Sequence, residues 1–152
     1  MAVAMNRGTI ALTDGTTLTY REAGHGPPLV LLPGAYDDGG RLETSVARLG
    51  DAYTVFAPDL PGLGHRAAQG LQELLLSRDI RDATVVTDSV GAPTLREHLD
   101  RYGSERIARV ILTGSGGAWA GLAGRLPTLV CEDGQWPDGL TRLLGESGSG
   151  SG

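Results

Sequence analysis

Lysine is absent from this chain. All 13 basic residues are arginine, set against 18 acids, for a formal net charge of -5. A mildly acidic chain with no basic stretch argues against nucleic acid and an anionic membrane as main partners. Cysteine occurs once, as Cys131, which excludes an intrachain disulfide and a multi-cysteine zinc site. At the end of an apolar run it reads most simply as a small packed hydrophobe. No apolar run approaches the ~20 residues of a membrane span, and no charged, apolar, small-residue signal precedes the first strand pattern. These absences make a cytoplasmic home the expectation.

What is present suits an ordinary globular chain. A length of 152 residues predicts one domain with one core, and 40% hydrophobic with 20% charged residues is enough to build it. Glycine is in excess, with 24 copies, several in pairs at the ends of hydrophobic runs, where turns and helix caps use them. Residues 1–145 read as a single domain, and 146–152, alternating Gly and Ser after Glu146, as a flexible linker-like tail.

From Gly8 to Ala23 the β-branched and aromatic residues alternate around Asp14-Gly15, which predicts a hairpin closed by a two-residue turn. Leu29 to Leu32 is continuously apolar, the pattern of a strand buried on both faces. Further strands are predicted at Tyr53–Pro58, Ala83–Thr87, Ala108–Thr113 and Pro127–Cys131. Between them lie helix-like stretches at Arg41–Leu49, Ala67–Leu76 and Ala92–Tyr102, with a weaker one near Leu140–Leu144. Within the third stretch Leu95, Leu99 and Tyr102 form an apolar stripe. The fold class is therefore α/β: a three-layer sandwich whose mostly parallel sheet of about seven strands opens with an antiparallel hairpin. Right-handed crossovers put helices on both faces, and ligands of such sheets bind beyond the carboxyl ends of the parallel strands. Gly114 to Arg125 is glycine-rich and breaks the rhythm.

Chemistry concentrates between Asp82 and Gly103. A buried strand runs into Thr87-Asp88-Ser89-Val90-Gly91 and a helix follows at once, the context of a nucleophile elbow, G-x-S-x-G between strand and helix. There a sharp turn lifts a serine hydroxyl above the sheet edge, and small flanking residues let strand and helix pass closely. Ser89 holds the nucleophile position and Gly91 the second small one. The N–H of Val90 opens the helix and could donate to an oxyanion, aided by the helix dipole. A plain helix-start serine is the structural alternative, since serine favours that position anyway.

At this point the chain resembles an α/β-hydrolase-fold protein of the serine ester hydrolase type, from Gly8 to about Leu144. "PPLVLLPGAYDD" is similar to that family's strand 3 and oxyanion loop, with Pro33-Gly34 in place of His-Gly, and the match makes the Ala35 N–H the second oxyanion donor. "YTVFAPDLPGLGHRA" resembles the strand 4 signature D-x-P-G-x-G, with Asp59, Pro61, Gly62 and Gly64 in place. "RIARVILTGSGG" resembles strand 6, and "LPTLVCEDG" the strand that ends at the catalytic acid. By that match Asp133 is the acid and Asp138 the fallback. The resemblance implies an ester hydrolase needing no cofactor and no metal, with a small-molecule ester as its partner. Gly62-Leu63-Gly64 is not a phosphate loop, because it lacks the remaining glycine and the lysine.

The departures are equally specific. Thr87 replaces the first elbow glycine and crowds the turn. Asp88 is not the nucleophile, because Gly91 falls two residues after Ser89. Only about a dozen residues stand where the family inserts a helical lid. No histidine follows Asp133, so the chain reads as lid-less and truncated before the usual base. His25 falls at the opposite sheet edge, and His98 lies about 13 Å down the next helix at 1.5 Å per residue. His65, in the loop after strand 4, is on the correct edge. Proton transfer needs about 2.6–3.2 Å or one bridging water, so no histidine is a comfortable base. The base is absent or improvised by His65, which otherwise reads as a solvated loop histidine in a loop that does not usually reach the nucleophile. Asp59 reads as a turn-former before Pro61-Gly62, Asp37-Asp38 as a solvated loop, and Trp119 and Trp136 could line an acyl pocket. One functional reading is a weak serine hydrolase on small carboxylic esters. Its rivals are a non-catalytic scaffold, engineered or degenerate, and a fragment whose histidine another chain supplies. A sheet that ends early also exposes an edge strand able to pair between chains.

Overall fold

Alternation of apolar residues decides which side of the sheet each strand buries. The structure, a computed structural model, describes residues 5–13, 15–32, 49–50, 52–59, 65–87, 91–113 and 127–131. The strands are β1 (Met5–Ala11), β2 (Thr17–Ala23), β3 (Pro28–Leu31), β4 (Thr54–Pro58), β5 (Ala83–Thr87), β6 (Ile107–Thr113) and β7 (Thr128–Cys131). They form one sheet in the order β1-β2-β4-β3-β5-β6-β7. β2 pairs antiparallel with both β1 and β4, and every other pairing is parallel. Two helices are described, α1 (His65–Ser77) between β4 and β5, and α2 (Ala92–Tyr102) between β5 and β6.

Both helices pack on one face. Val30 of β3, Phe56 of β4, Val85 of β5 and Val110 and Leu112 of β6 share a buried cluster with Leu71, Leu74 and Leu75 of α1 and Leu95 and Leu99 of α2. The helical residues recur at three- and four-residue spacing, so each helix turns one stripe to the sheet. Leu29, Leu31, Val55, Val86 and Ile111 point to the second face and are buried too. Burial from both sides explains why the central strands read as continuous apolar runs. The alternation slips once, by a bulge where Ala83 pairs Ile107 and Thr84 pairs Arg109. The extra residue, Ala108, turns both Ile107 and Val110 to the helical face, and on the far face Arg109 Nε donates to Thr84 Oγ1 (2.8 Å).

The expected α/β class with a mostly parallel sheet holds, with the hairpin and the alternation β4–α1–β5–α2–β6 as read, while the helical layer expected on the second face falls outside the described residues. The hairpin turn itself is a correction. Leu12 N–H donates to Thr16 O (2.8 Å) and Gly15 N–H to Leu12 O (3.0 Å), which makes a three-residue loop in place of the two-residue one. Gly15, at φ +91°, supplies the left-handed position that such a loop requires. Gly24, at φ +84°, has a second reason to be glycine: a side chain there would run into the backbone of Gly50 and the Tyr53 carbonyl. The predicted helices at 41–49 (apart from Leu49) and 140–144, the segment 114–125, and Trp119 and Trp136 lie outside the described residues.

Side chains tie α1 at its middle and at its C-terminal end. Thr13, in the hairpin turn, donates its N–H to Glu73 Oε1 (3.0 Å) and receives Gln69 Nε2 on its hydroxyl (2.7 Å). At the C-terminal end of α1 Arg106 donates to the carbonyl of Leu75 (3.4 Å), which also accepts the Ile80 N–H (2.8 Å), and to that of Ile80 (3.2 Å) just past the helix. Arg106 also meets Asp79, whose carboxyl is held below its usual range by hydrogen bonds from Arg81 and then Arg106.

Candidate functional site

Five parallel strands, β3 to β7, end on one edge of the sheet, and the chain leaves them in two directions. From β3 it crosses to β4 on one side. From β5 it goes through α2 to β6 on the other. β3 and β5 are hydrogen-bonded neighbours, Leu31 opposite Val86, with Leu32 N–H donating to Val86 O (2.9 Å) just past the last β3 residue. Their carboxyl ends therefore form a topological switch point, where open α/β sheets leave a crevice for a ligand.

The local sequence explains how β5 reaches that edge. All five of its residues are buried, and Thr87, its last, is 0% exposed. Four residues later, at Gly91 (φ -84°, ψ -14°), the carbonyl receives the N–H groups of Thr94 (3.1 Å) and Leu95 (3.2 Å) and starts α2. Gly91 brings no side chain to cap the helix, and Pro93 in the first turn has no N–H to satisfy. The start of α2 thus presents a positive dipole end toward the β5 edge, an arrangement that favours negative charge.

Of the residues singled out from sequence, Ser89 and Val90 fall in the connection 88–90, Ala35 after β3, and Asp133 after β7. All four lie outside the described residues, as does Asp138, and so do their mutual distances. His65 is a correction to the expected loop: it is the first residue of α1. The apolar spacing behind it, Ala68, Leu71 and Leu75, carries the helix two residues further toward the N-terminus than the predicted Ala67 start. Asp59, directly after β4, is exposed, and its N–H donates to Thr19 O (2.8 Å).

The other two histidines are far from that edge. His25 is exposed between β2 and β3, at the amino edge of the parallel strands. His98 is 2% exposed on α2, and its Nε2 lies 2.8 Å from Gln72 Oε1 of α1. An amide oxygen only accepts, so the Nε2–H of His98 is the donor. Its Nδ1 is buried without a partner. Burial pulls the His98 pKa down to about 4, so the ring is neutral at pH 7 and is no base for chemistry at the far edge. Its ring lies 5.3 Å from that of Tyr102. Beside it a cleft of about 140 Å³ is lined by Gln72, Leu76, Tyr102, Glu105 and Arg106. The sequence held a signal for this: His98 follows Leu95 by three residues and precedes Tyr102 by four, on the same apolar stripe.

Among the described residues no cluster of three or more His, Cys, Asp or Glu could hold a metal, and no helix is long and apolar enough to cross a membrane. No protein-family model matches the sequence. The chain is 27% identical over 139 residues to the non-heme chloroperoxidase CPO-A1 of Kitasatospora aureofaciens, covering 84% of this chain and 47% of that protein. Its structure is similar to an esterase from Exiguobacterium antarcticum, with TM-score 0.63 and 21% identity over 80% of this chain and 50% of that one. A bromoperoxidase from Bacillus anthracis matches with TM-score 0.57 and 23% identity, over 72% and 44% of the two chains. These likenesses show the fold. The chain has the α/β-hydrolase fold. It spans half or less of the length of these relatives, and within the α/β-hydrolase frame the described part holds the sheet from β1 to β7 and the helices on either side of β5.

Proposed function

We propose that this chain carries the nucleophile and oxyanion elements of an α/β-hydrolase acting on small carboxylic esters, with Ser89 as the attacking residue. The observation that supports it most is the switch point at the carboxyl ends of β3 and β5. Chain continuity ties the Ser89 connection to the end of β5 and the Ala35 segment to the end of β3. In this reading Ser89 Oγ adds to the acyl carbon while its proton passes to His65, and Asp133 supplies the acid. The carbonyl oxygen gathers charge against the N–H groups of Val90 and Ala35, helped by the start of α2. The C–O bond to the alcohol breaks, the alcohol leaves with the proton, and water hydrolyses the acyl-serine to the acid. The substrate is a small-molecule ester, and no cofactor takes part. A site without a fully engaged base retains on the order of 10³–10⁴-fold catalysis over water from binding and the oxyanion hole, and slow turnover is the expected outcome.

A second reading, a hydrolase fold that performs no chemistry, is favoured by the histidines: His25 is at the wrong edge and His98 is engaged with Gln72. Hydrolysis of a short activated ester and labelling by a fluorophosphonate, in this chain and in Ser89→Ala, separate the two. Labelling and turnover that vanish in the variant establish the nucleophile. A burst without turnover means that Ser89 acylates while nothing activates water for release. Identical behaviour of the two proteins sinks the hydrolase reading and leaves the scaffold.

A further inference from the structure

α1 and α2 both start at the edge where the proposed chemistry lies, and the two helices are tied together at matching depth. His65 opens α1, and Gln72 lies seven residues further on, about 10 Å along the axis; Ala92 opens α2, and His98 lies six residues further on, about 9 Å. The hydrogen bond between Gln72 and His98 (2.8 Å) therefore crosses the seam level with itself, like a rung. It is shielded: His98 is 2% exposed, and Leu95 and Leu99 on either side of it are buried against the sheet.

We propose that Gln72 and His98 are a positioning pair that fixes the separation of the two helix starts, and with it the placement of His65 relative to the Ser89 connection. This rests on the hydrolase reading for its catalytic meaning, but the tie itself is a property of the two helices. A neutral His98 suits the role. It donates through Nε2 and leaves Nδ1 as a lone pair in a buried site. The groups facing it argue against a charge there. From the β6 side Arg106 reaches the same cleft as a cation, with its guanidinium engaged on Leu75, Ile80 and Asp79. From α1 come the neutral Gln72 and Leu76, from α2 itself Tyr102, and the carboxylate present is that of the exposed Glu105. Protonation of His98 sets a second cation beside Arg106 and strains the tie, so the arrangement loosens as the solution turns acid.

Gln72→Leu removes the acceptor and Gln72→Glu keeps one, and both are compared with the parent chain by amide hydrogen exchange at Thr94 and Leu95, the first-turn donors of α2. Gln72→Leu should raise exchange there about tenfold, the effect of one buried donor left unpaired, with the β5 amides unchanged. Glu should restore protection and preserve it to lower pH, because its carboxylate accommodates a charged imidazole. The fluorophosphonate labelling rate per folded molecule should follow the same order, reduced in Gln72→Leu and recovered in Gln72→Glu. Uniformly faster exchange across β5 and α2 in Gln72→Leu, or unchanged exchange at Thr94 and Leu95, overturns the positioning role. A parent chain that never labels sinks the hydrolase reading, while the exchange pattern still decides the tie. Altered exchange with an unaltered labelling rate leaves the pair structural and overturns its role at the site.

Discussion

Strand β5 and the seam between α1 and α2 are both buried, and they are held in different ways. Every residue of β5 is buried, with parallel neighbours on both sides and apolar side chains on both faces. The seam's inner side shares that core, but its outer half is closed by an imidazole–amide contact beside a cleft of about 140 Å³. Apolar burial is non-directional and tolerates any residue of similar shape. A buried polar contact is directional, and its worth depends on both partners and on their protonation. The comparison teaches where this fold is robust and where it responds to its surroundings.

The largest effect should come from the apolar side. Leu95 is fully buried where α2 meets the sheet, and Leu95→Ala should lower the unfolding free energy by about 2–5 kcal/mol, read by urea denaturation. A loss below about 1 kcal/mol would mean that α2 can be repacked and that the two regions are less different than they look.

Acid should find the polar side. Unfolded, His98 binds its proton near the ordinary histidine value of 6.5; folded, it does so only near 4, because burial disfavours the charged ring. Between those values the unfolded chain holds more protons. Stability is therefore whole above pH 6.5 and falls as the pH drops toward 4, by up to roughly 3 kcal/mol. Urea midpoints at pH 7 and pH 4.5 should show this loss in the parent chain and a smaller one in His98→Asn. An equal loss in both would put the acid sensitivity elsewhere.

The smallest effect should come from the solvent side of the same helix. Arg101 Nε lies 2.8 Å from Glu97 Oε2, one turn away, and both side chains are substantially exposed. Arg101→Ala should cost no more than about 0.5 kcal/mol, and less in high salt. A larger thermal shift than His98→Asn produces at neutral pH would reverse the ranking of seam and surface.

Much of the sheet was legible because its determinants are local. β5 and α2 fall end to end on the runs Ala83–Thr87 and Ala92–Tyr102, where buried residues fill every position of the strand and recur at helical spacing in the helix. The hairpin was readable from alternation, but its loop type was not: Asp14-Gly15 suits two turn geometries, and the choice depends on how Leu12 and Thr16 pair. His65 reads from the sequence as a loop residue because Pro61, Gly62 and Gly64 just before it suggest a turn that continues, whereas the helix starts there. For the candidate site the sequence offered the strand–Ser89–helix succession and the signatures after β3 and β4, all short-range patterns.

The sequence by itself determined the alternation of strands and helices, the exclusion of a disulfide within these 152 residues, and the position of Ser89 between a buried strand and a helix. Each follows from residue type and spacing within a few turns of chain. Only the tertiary structure decided that β3 and β5 lie side by side at the switch point, and that Gln72 and His98, 26 residues apart, meet across two helices. Such pairings depend on where the sheet carries each helix, and no local pattern encodes that distance.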